Sequence, residues 1–167
     1  MKEITLDKNM VTQVDDDIYE TVKHLKFSAK KAKQLYYAVC YIRGKRVNLH
    51  NLVLGYPLPG YEPDHRDGNS LNNQRDNLRW STCVENQRNR GPKESSHGTP
   101  SKSQYKGVSP VMPSNPQRNK PWRSRIKIPE KHSQISIGYF ATEIEAAIAY
   151  DNAARLYFGE FARLNFP

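Results

Sequence analysis

Residues 91–103 form a run of thirteen positions without one apolar side chain that could join a core. Gly91, Pro92, Gly98 and Pro100 punctuate it, and Ser95, Ser96, Ser101 and Ser103 fill it. Such a composition cannot bury enough surface to offset the entropy of ordering, so the run reads as a linker. Patterned apolar residues lie on both sides of it. A chain of 167 residues cut this way gives a first domain over 1–90 and a second over 104–167. Each has fewer than about 100 residues and therefore a thin core.

Charge narrows the partners. The formal net charge is +9, and it is shared: 15 basic against 11 acidic residues through Arg90, 11 against 6 after it. Neither half is a neutral domain with a basic tail. An extended polyanion touching both halves explains the balance, because each neutralised phosphate releases counterions; simple solubility is the bland alternative. No stretch approaches the roughly 18 consecutive apolar residues of a membrane span, and the N-terminus from Met1 has no apolar signal core. Cys40 and Cys83 are too few for a four-cysteine zinc site or a disulfide framework. They read as small, semi-buried residues of a protein in the reducing cytoplasm.

The first domain mixes short elements. Residues 4–6 and 11–14 are strand-like, and Asp15, Asp16 and Asp17 offer capping and dipole-matching carboxylates to a helix through Val22. Residues 34–43 alternate with Tyr36, Ala38, Cys40 and Ile42 on one face, then turn at Gly44 into residues 46–49. Residues 50–54 suggest a short helix ended by Gly55. In the second domain, residues 122–128 alternate with period two. Ser124, Ile126 and Ile128 take one face, and Arg123, Arg125 and Lys127 the other. Residues 134–137 repeat the pattern with Ile135 and Ile137 inward. Thr142 and Glu145 form a capping box that opens an alanine-rich helix ended by Gly159, with Ala146, Ala149, Ala153 and Tyr157 on one stripe. The expectation is a three-stranded sheet backed by one helix, its uncovered face basic.

One constellation carries chemistry. Asp64 and His65 end a strand, Asp67-Gly68 is turn chemistry, Asn72 and Asn73 follow, and residues 78–80 form a second strand. Ser81 or Thr82 caps a helix, with Glu85 able to close a box from Thr82, and Asn86 lies one turn beyond Thr82. A hairpin and a helix thereby gather one imidazole, one carboxylate and one carboxamide oxygen. A hard cation takes such oxygen ligands and keeps water or phosphate in its remaining positions. A neutral His beside it can take a proton from water. Asp64-His65 alone would be an ordinary surface turn; the joint spacing is what signals a site. His24, His97 and His132 lack such company and read as solvated. His50 stays open between a phosphate contact and local structure, and residues 30–33 between a phosphate-binding loop and a solvated charge run.

These residues resemble the HNH nucleases, whose core is a β-hairpin and helix gripping one divalent metal. His65, Asn77 and Asn86 fall at the signature positions. Asn86 departs from the strict pattern, where the last residue is His, in the manner of the homing-type subclass of phages and introns. A weaker likeness extends upstream through residues 46–50. The resemblance implies His65 as general base, Asp64 and Asn86 as ligands of one Mg²⁺ or Mn²⁺ rather than zinc, and Asn77 as a brace that helps orient His65.

Residues 105–167 resemble the AP2/ERF DNA-binding domain, through Tyr105-Lys106-Gly107-Val108, Trp122 with Ile126, Gly138-Tyr139-Phe140, the run Ala146 to Ala154, and Leu164-Asn165-Phe166-Pro167. In that family the sheet enters the major groove, which is wide enough for it. The groove-facing positions correspond to Lys106, Ser109, Arg123, Arg125, Lys127, Gln134 and Ser136. Several family arginines are Ser or Gln here, so base preference does not carry over. Arg88 and Arg90 are further candidates for DNA contact. The implied fold class is α+β, a ββα-metal nuclease domain with upstream short strands followed by an AP2-like sheet packed on one helix.

Together the two likenesses imply a metal-dependent endonuclease of homing type that nicks or cuts double-stranded DNA, leaving 5′ phosphate and 3′ hydroxyl ends. Whether it acts as monomer or homodimer stays open. The rival is a non-catalytic, sequence-specific DNA-binding regulator. An RNA target is disfavoured because the A-form major groove is too narrow for a sheet.

Overall fold

The computed structural model describes residues 1–91, 103–111, 120–128 and 133–167. Nearly all of the linker, with His97 and His132, lies outside them. The chain divides into two compact units, Met1–Asn86 and Gln87–Pro167. The architecture is mixed: among the described residues short helices accompany small antiparallel sheets of two or three strands.

In the first unit, β1 (Lys2–Thr5) and β2 (Val11–Val14) form a hairpin with Lys2 opposite Val14. Lys8 and Asn9 both take positive φ (62° and 55°), the backbone signature of a turn whose twist matches the flanking strands. Helix α1 (Asp16–Val22) follows, burying Ile18 and Val22. Its N-cap, Asp15, makes no side-chain cap bond, contrary to expectation. The Asp15 carboxylate instead accepts from the Arg75 backbone N–H at 2.8 Å, and Asp17 takes both prongs of the Arg75 guanidinium. These carboxylates tie a distant loop rather than cap a helix.

A three-stranded sheet comes next, in the order β3 (Ser28–Ala32), β4 (Leu35–Ile42), β5 (Lys45–Asn48). The Lys30-Lys31-Ala32 run is therefore strand, paired with Tyr37, Tyr36 and Leu35. Ala38 and Cys40 join the core with Val14, Val22, Phe27 and Leu49, and Tyr36 and Ile42 pack against it, as the alternation predicts. Val39, on the other face, is buried as well, so this strand is covered on both sides. Helix α2 (Leu49–Leu54) ends at Gly55, whose φ of 85° suits a residue without a Cβ. The last elements are β6 (Tyr61–His65), a 3₁₀ turn (Arg75–Asn77), β7 (Leu78–Thr82) and α3 (Cys83–Arg88). Cys40 is buried but Cys83 is exposed; its place at the start of a solvent-facing helix removes it from the core.

The second unit has strand order β10 (Ser133–Phe140), β9 (Trp122–Ile128), β8 (Val108–Pro110). Ser124, Ile126 and Ile128 face inward. Helix α4 (Glu143–Phe158) opens with the complete Thr142–Glu145 capping box. Its buried stripe is Ala146, Ala147, Tyr150, Asp151, Ala154 and Phe158. Of the anticipated stripe, Ala146 is buried, Ala149 is half-buried and Ala153 packs at the edge of this core, whereas Tyr157 is 44% exposed. The large side chains Tyr150 and Phe158, at four-residue steps from Ala146, set the face against Ile126; the alanines only fit around them. At Gly107 (φ +78°) a Cβ would lie 2.0 Å from the Tyr150 ring and 2.7 Å from the Arg125 carbonyl oxygen. Asp151 accepts the Asn165 and Phe166 backbone N–H groups (2.8 and 2.9 Å), clamping the C-terminal tail.

Candidate functional site

Strands β6 and β7 pair antiparallel with Asp64 opposite Arg79 and His65 opposite Leu78. The residue pair expected to bear chemistry thus sits at the hairpin's end, where the loop of residues 66–77 begins. That loop is cross-braced. Asn77 Nδ2 donates to Asp67 Oδ1 (3.0 Å) and to the Asn72 carbonyl (2.8 Å), while its Oδ1 accepts from the Asp67 N–H (3.0 Å). Gly68 closes the turn by donating to the His65 carbonyl at 2.9 Å. After β7, the Glu85 carboxylate accepts from both the N–H and the hydroxyl of Thr82 (2.8 Å each), and the Glu85 backbone N–H donates to that hydroxyl at 3.3 Å. This reciprocal cap fixes the start of α3, and hence Asn86.

Asp64 and His65 are both buried. Asp64 Oδ2 accepts from Arg79 Nε at 2.8 Å, with both side chains shut off from solvent. Burial pushes the His65 imidazolium below its ordinary range, while Asn73, Asp67 and Asp64 oppose that shift. Burial, and then the proximity of His65, takes His50 down to about 4. The two rings are 5.7 Å apart in an edge-on contact, and the Tyr37 ring completes the group at 5.8 Å from His50 and 6.3 Å from His65. His50 is thus a neighbour of the candidate base. The sequence signal for it was the 46–50 likeness, which did not say what His50 would touch. Tyr37 carried no signal.

The oxygen donors suit a hard cation. Asp64 supplies a buried carboxylate that already holds a positive group, and Asn86 spends its Nδ2 on Glu62 Oε2 (3.1 Å), so its carbonyl oxygen is the end a cation would meet. Glu62, one strand position pair before Asp64, was not anticipated. Among the described residues no group of three or more His, Cys, Asp and Glu side chains is placed to hold a metal ion. One carboxylate and one carboxamide make a smaller donor set, which would leave most positions of an octahedral ion to water and phosphate.

In the second unit, cross-strand register aligns Ser109 with Arg123, Ser136 with Arg125 and Gln134 with Lys127. Six of the anticipated DNA-facing residues therefore share one sheet face. Arg125 donates to Gln134 Oε1 at 2.9 Å. Arg123 Nε and Ser109 Oγ are buried without a hydrogen-bond partner among the described residues. Tyr139, opposite Arg123 and 38% exposed, joins the same face and was not anticipated. Lys106 is placed differently from the other six. Its ammonium donates to the carbonyls of Arg88 and Arg90, and burial, with Arg163 nearby, brings it down to about 8. The Arg88 guanidinium lies 5.1 Å from the Phe158 ring centre.

Residues 48–88 match the HNH endonuclease family model. The matched HNH segment contains His50, Asp64, His65, Asn77, Arg79 and Asn86, and it takes in α2, the β6–β7 hairpin and α3. The C-terminal part has AP2/ERF-type relatives. It is similar to dehydration-responsive element-binding protein 2A of Arabidopsis thaliana, 48% identical over 46 residues, which is 28% of this chain and 14% of that protein. It is also similar to the ethylene-responsive transcription factor ERF024 of Arabidopsis thaliana, 44% identical over 63 residues, 38% of this chain and 32% of that protein. The rice (Oryza sativa subsp. japonica) dehydration-responsive element-binding protein 2E is 48% identical over 46 residues. The chain spans a third or less of the length of these relatives. Among the described residues no helix is long and apolar enough to cross a membrane.

Proposed function

We propose that this protein is a metal-dependent, HNH-type DNA endonuclease whose AP2-like sheet selects the site. The observation that carries the reading is the buried Asp64-His65 pair at the end of the β6–β7 hairpin, within the matched HNH segment. Asp64 and Asn86 would hold one divalent ion, Mg²⁺ or Mn²⁺. When bound, that ion supplies charge stabilisation at the scissile phosphate and at the departing oxygen.

The chain's own residues do the rest. His65, kept neutral by burial, takes a proton from the attacking water. Asn77 holds the loop that starts at His65, so the ring does not swing with the loop. The sheet face of Arg123, Arg125 and Lys127 enters a major groove, where Gln134 and Ser136 offer hydrogen-bonding groups to base edges while the cations meet phosphates. Arg88, Arg90 and Lys106 add positive charge, with Lys106 acting through the carbonyls it holds. The ββα-metal and AP2 arrangements, the homing role suggested by Asn86, and the linker over 91–103 belong to the same proposal.

The relatives' names, an element-binding protein and a transcription factor, favour a second reading, a DNA-binding regulator that does not cut. Supercoiled plasmid separates the two. Incubated with the purified protein and Mg²⁺ or Mn²⁺, it should relax or linearise, and a chelator should stop the reaction. Binding without any strand break at either metal would favour the regulator.

A further inference from the structure

Behind His65 lies a relay of two polar side chains, Asn73 and Thr12, that ends on the Leu71 backbone carbonyl. Thr12 Oγ1 is 2.7 Å from the Leu71 carbonyl oxygen, which can only accept, so the hydroxyl spends its one proton there. The Thr12 oxygen must then accept, and Asn73 Nδ2 donates to it at 2.8 Å. This fixes the Asn73 carboxamide, nitrogen toward Thr12 and oxygen toward His65. Asn73 Oδ1 lies 3.4 Å from His65 Nε2, a long contact between buried atoms. A carbonyl oxygen has no proton to offer, so in the neutral ring Nε2 carries the hydrogen and the lone pair is on Nδ1.

The relay is held as firmly as it is oriented. Thr12 and Asn73 are 0% and 1% exposed, which keeps bulk water from taking either role. Backbone bonds from Gln13 N to the Leu71 carbonyl (2.9 Å) and from Asn73 N to the Gln13 carbonyl (2.8 Å) bolt β2 to the loop. Gln13 and Asn72 form an isolated parallel bridge there. The N-terminal hairpin, which lies outside the matched segment of residues 48–88, thus reaches the candidate base through one amide.

We infer that Thr12 and Asn73 are positioning residues that hold His65 as its Nε2–H tautomer, making Nδ1 the atom that takes the proton from water. This rests on the nuclease reading. In the step, a water O–H bond breaks and its proton goes to Nδ1, giving an imidazolium. The oxygen bonds to phosphorus as the P–O3′ bond breaks, and the 3′ oxygen is protonated by solvent.

The test is a two-bond ¹H–¹⁵N correlation spectrum of the ¹⁵N-labelled full chain near neutral pH, beside plasmid cleavage. The wild type should show His65 protonated on Nε2 with a lone-pair shift at Nδ1. Thr12→Val, which keeps the shape and removes the hydroxyl, should give a mixture of tautomers. Its kcat should fall about 10- to 100-fold, by analogy with the loss of an outer partner of a metal-bound His, with KM little changed. Thr12→Ser should restore both readings. An Nδ1–H tautomer in the wild type overturns the inference even if the chain cuts DNA, and so does a Thr12→Val spectrum and kcat like those of the wild type. The wild-type spectrum needs no variant, so the inference stays refutable where Thr12→Val fails to fold. A chain with the Nε2–H tautomer that cuts no DNA refutes the nuclease reading, and with it the base role, while the tautomer assignment stands.

Discussion

Arg79 Nε donates to Asp64 Oδ2 at 2.8 Å across directly paired residues of the β6–β7 hairpin, and both side chains are buried. A buried carboxylate needs a cationic partner, and removing one member of such a pair costs about 3–5 kcal/mol. Arg79→Met should therefore destabilise the first unit by about that amount. If Asp64 is also a ligand, Mg²⁺ in millimolar excess should recover part of the loss, because an ion that binds only the folded state stabilises it. Thermal melts with metal and with chelator measure this. An equal loss in both would argue against Asp64 as a ligand.

Acid should weaken the first unit through its buried histidines. His50 moves from 6.5 unfolded to about 4 folded, and His65 moves the same way. Between those values the unfolded chain binds more protons, so stability falls as pH drops from about 6.5 and the His50 share of the loss is complete below about 4. That share is about 3 kcal/mol. Urea titrations at pH 7 and pH 5 should show the drop, and His50→Phe, which keeps a ring against Tyr37, should make it smaller. A stability that rises on acidification would contradict the burial argument.

Much of this was legible in the sequence, and the failures have physical causes. The inward set Ser124, Ile126 and Ile128 follows from period-two alternation alone, and the Thr82–Glu85 and Thr142–Glu145 boxes follow from local spacing. Strand β3 was missed because Lys30 and Lys31 give it no apolar period; its pairing with β4 defines it. The α4 stripe departs from expectation at Tyr157 because the large side chains Tyr150 and Phe158, not the alanines, occupy the space against Ile126. His65 and Asn77 stood out through their likeness to the HNH signature positions. Thr12, Tyr37 and the contact of His50 with His65 did not, because only the tertiary fold brings them together.

Gly107 marks a place with no room for another atom. Gly107→Ala would set a methyl against the Tyr150 ring and force a positive φ on a residue with a Cβ. A loss of more than about 1–3 kcal/mol is expected, seen as a lower unfolding midpoint for the second unit with DNA binding reduced in step. An unchanged midpoint would mean that Tyr150 can move aside.

The sheet face should act through charge. Lys127→Ala and Arg125→Ala should weaken DNA binding, and each lost phosphate contact should lower the salt slope by about 1. Arg125 also holds Gln134, so its loss should relax site choice more than that of Lys127. Affinities across a salt series, on specific and scrambled duplexes, check both. Slopes unchanged in both variants would place the DNA on another face.

His65 is proposed as the proton acceptor of a DNA-cutting site. The most direct measurement is single-turnover cleavage of supercoiled plasmid in Mg²⁺ by the wild type and by His65→Ala, alongside their affinities for the same DNA. The wild type should give relaxed or linear product, and the variant a rate lower by roughly 10²- to 10⁴-fold with closely similar binding. Equal cleavage rates would contradict that role for His65.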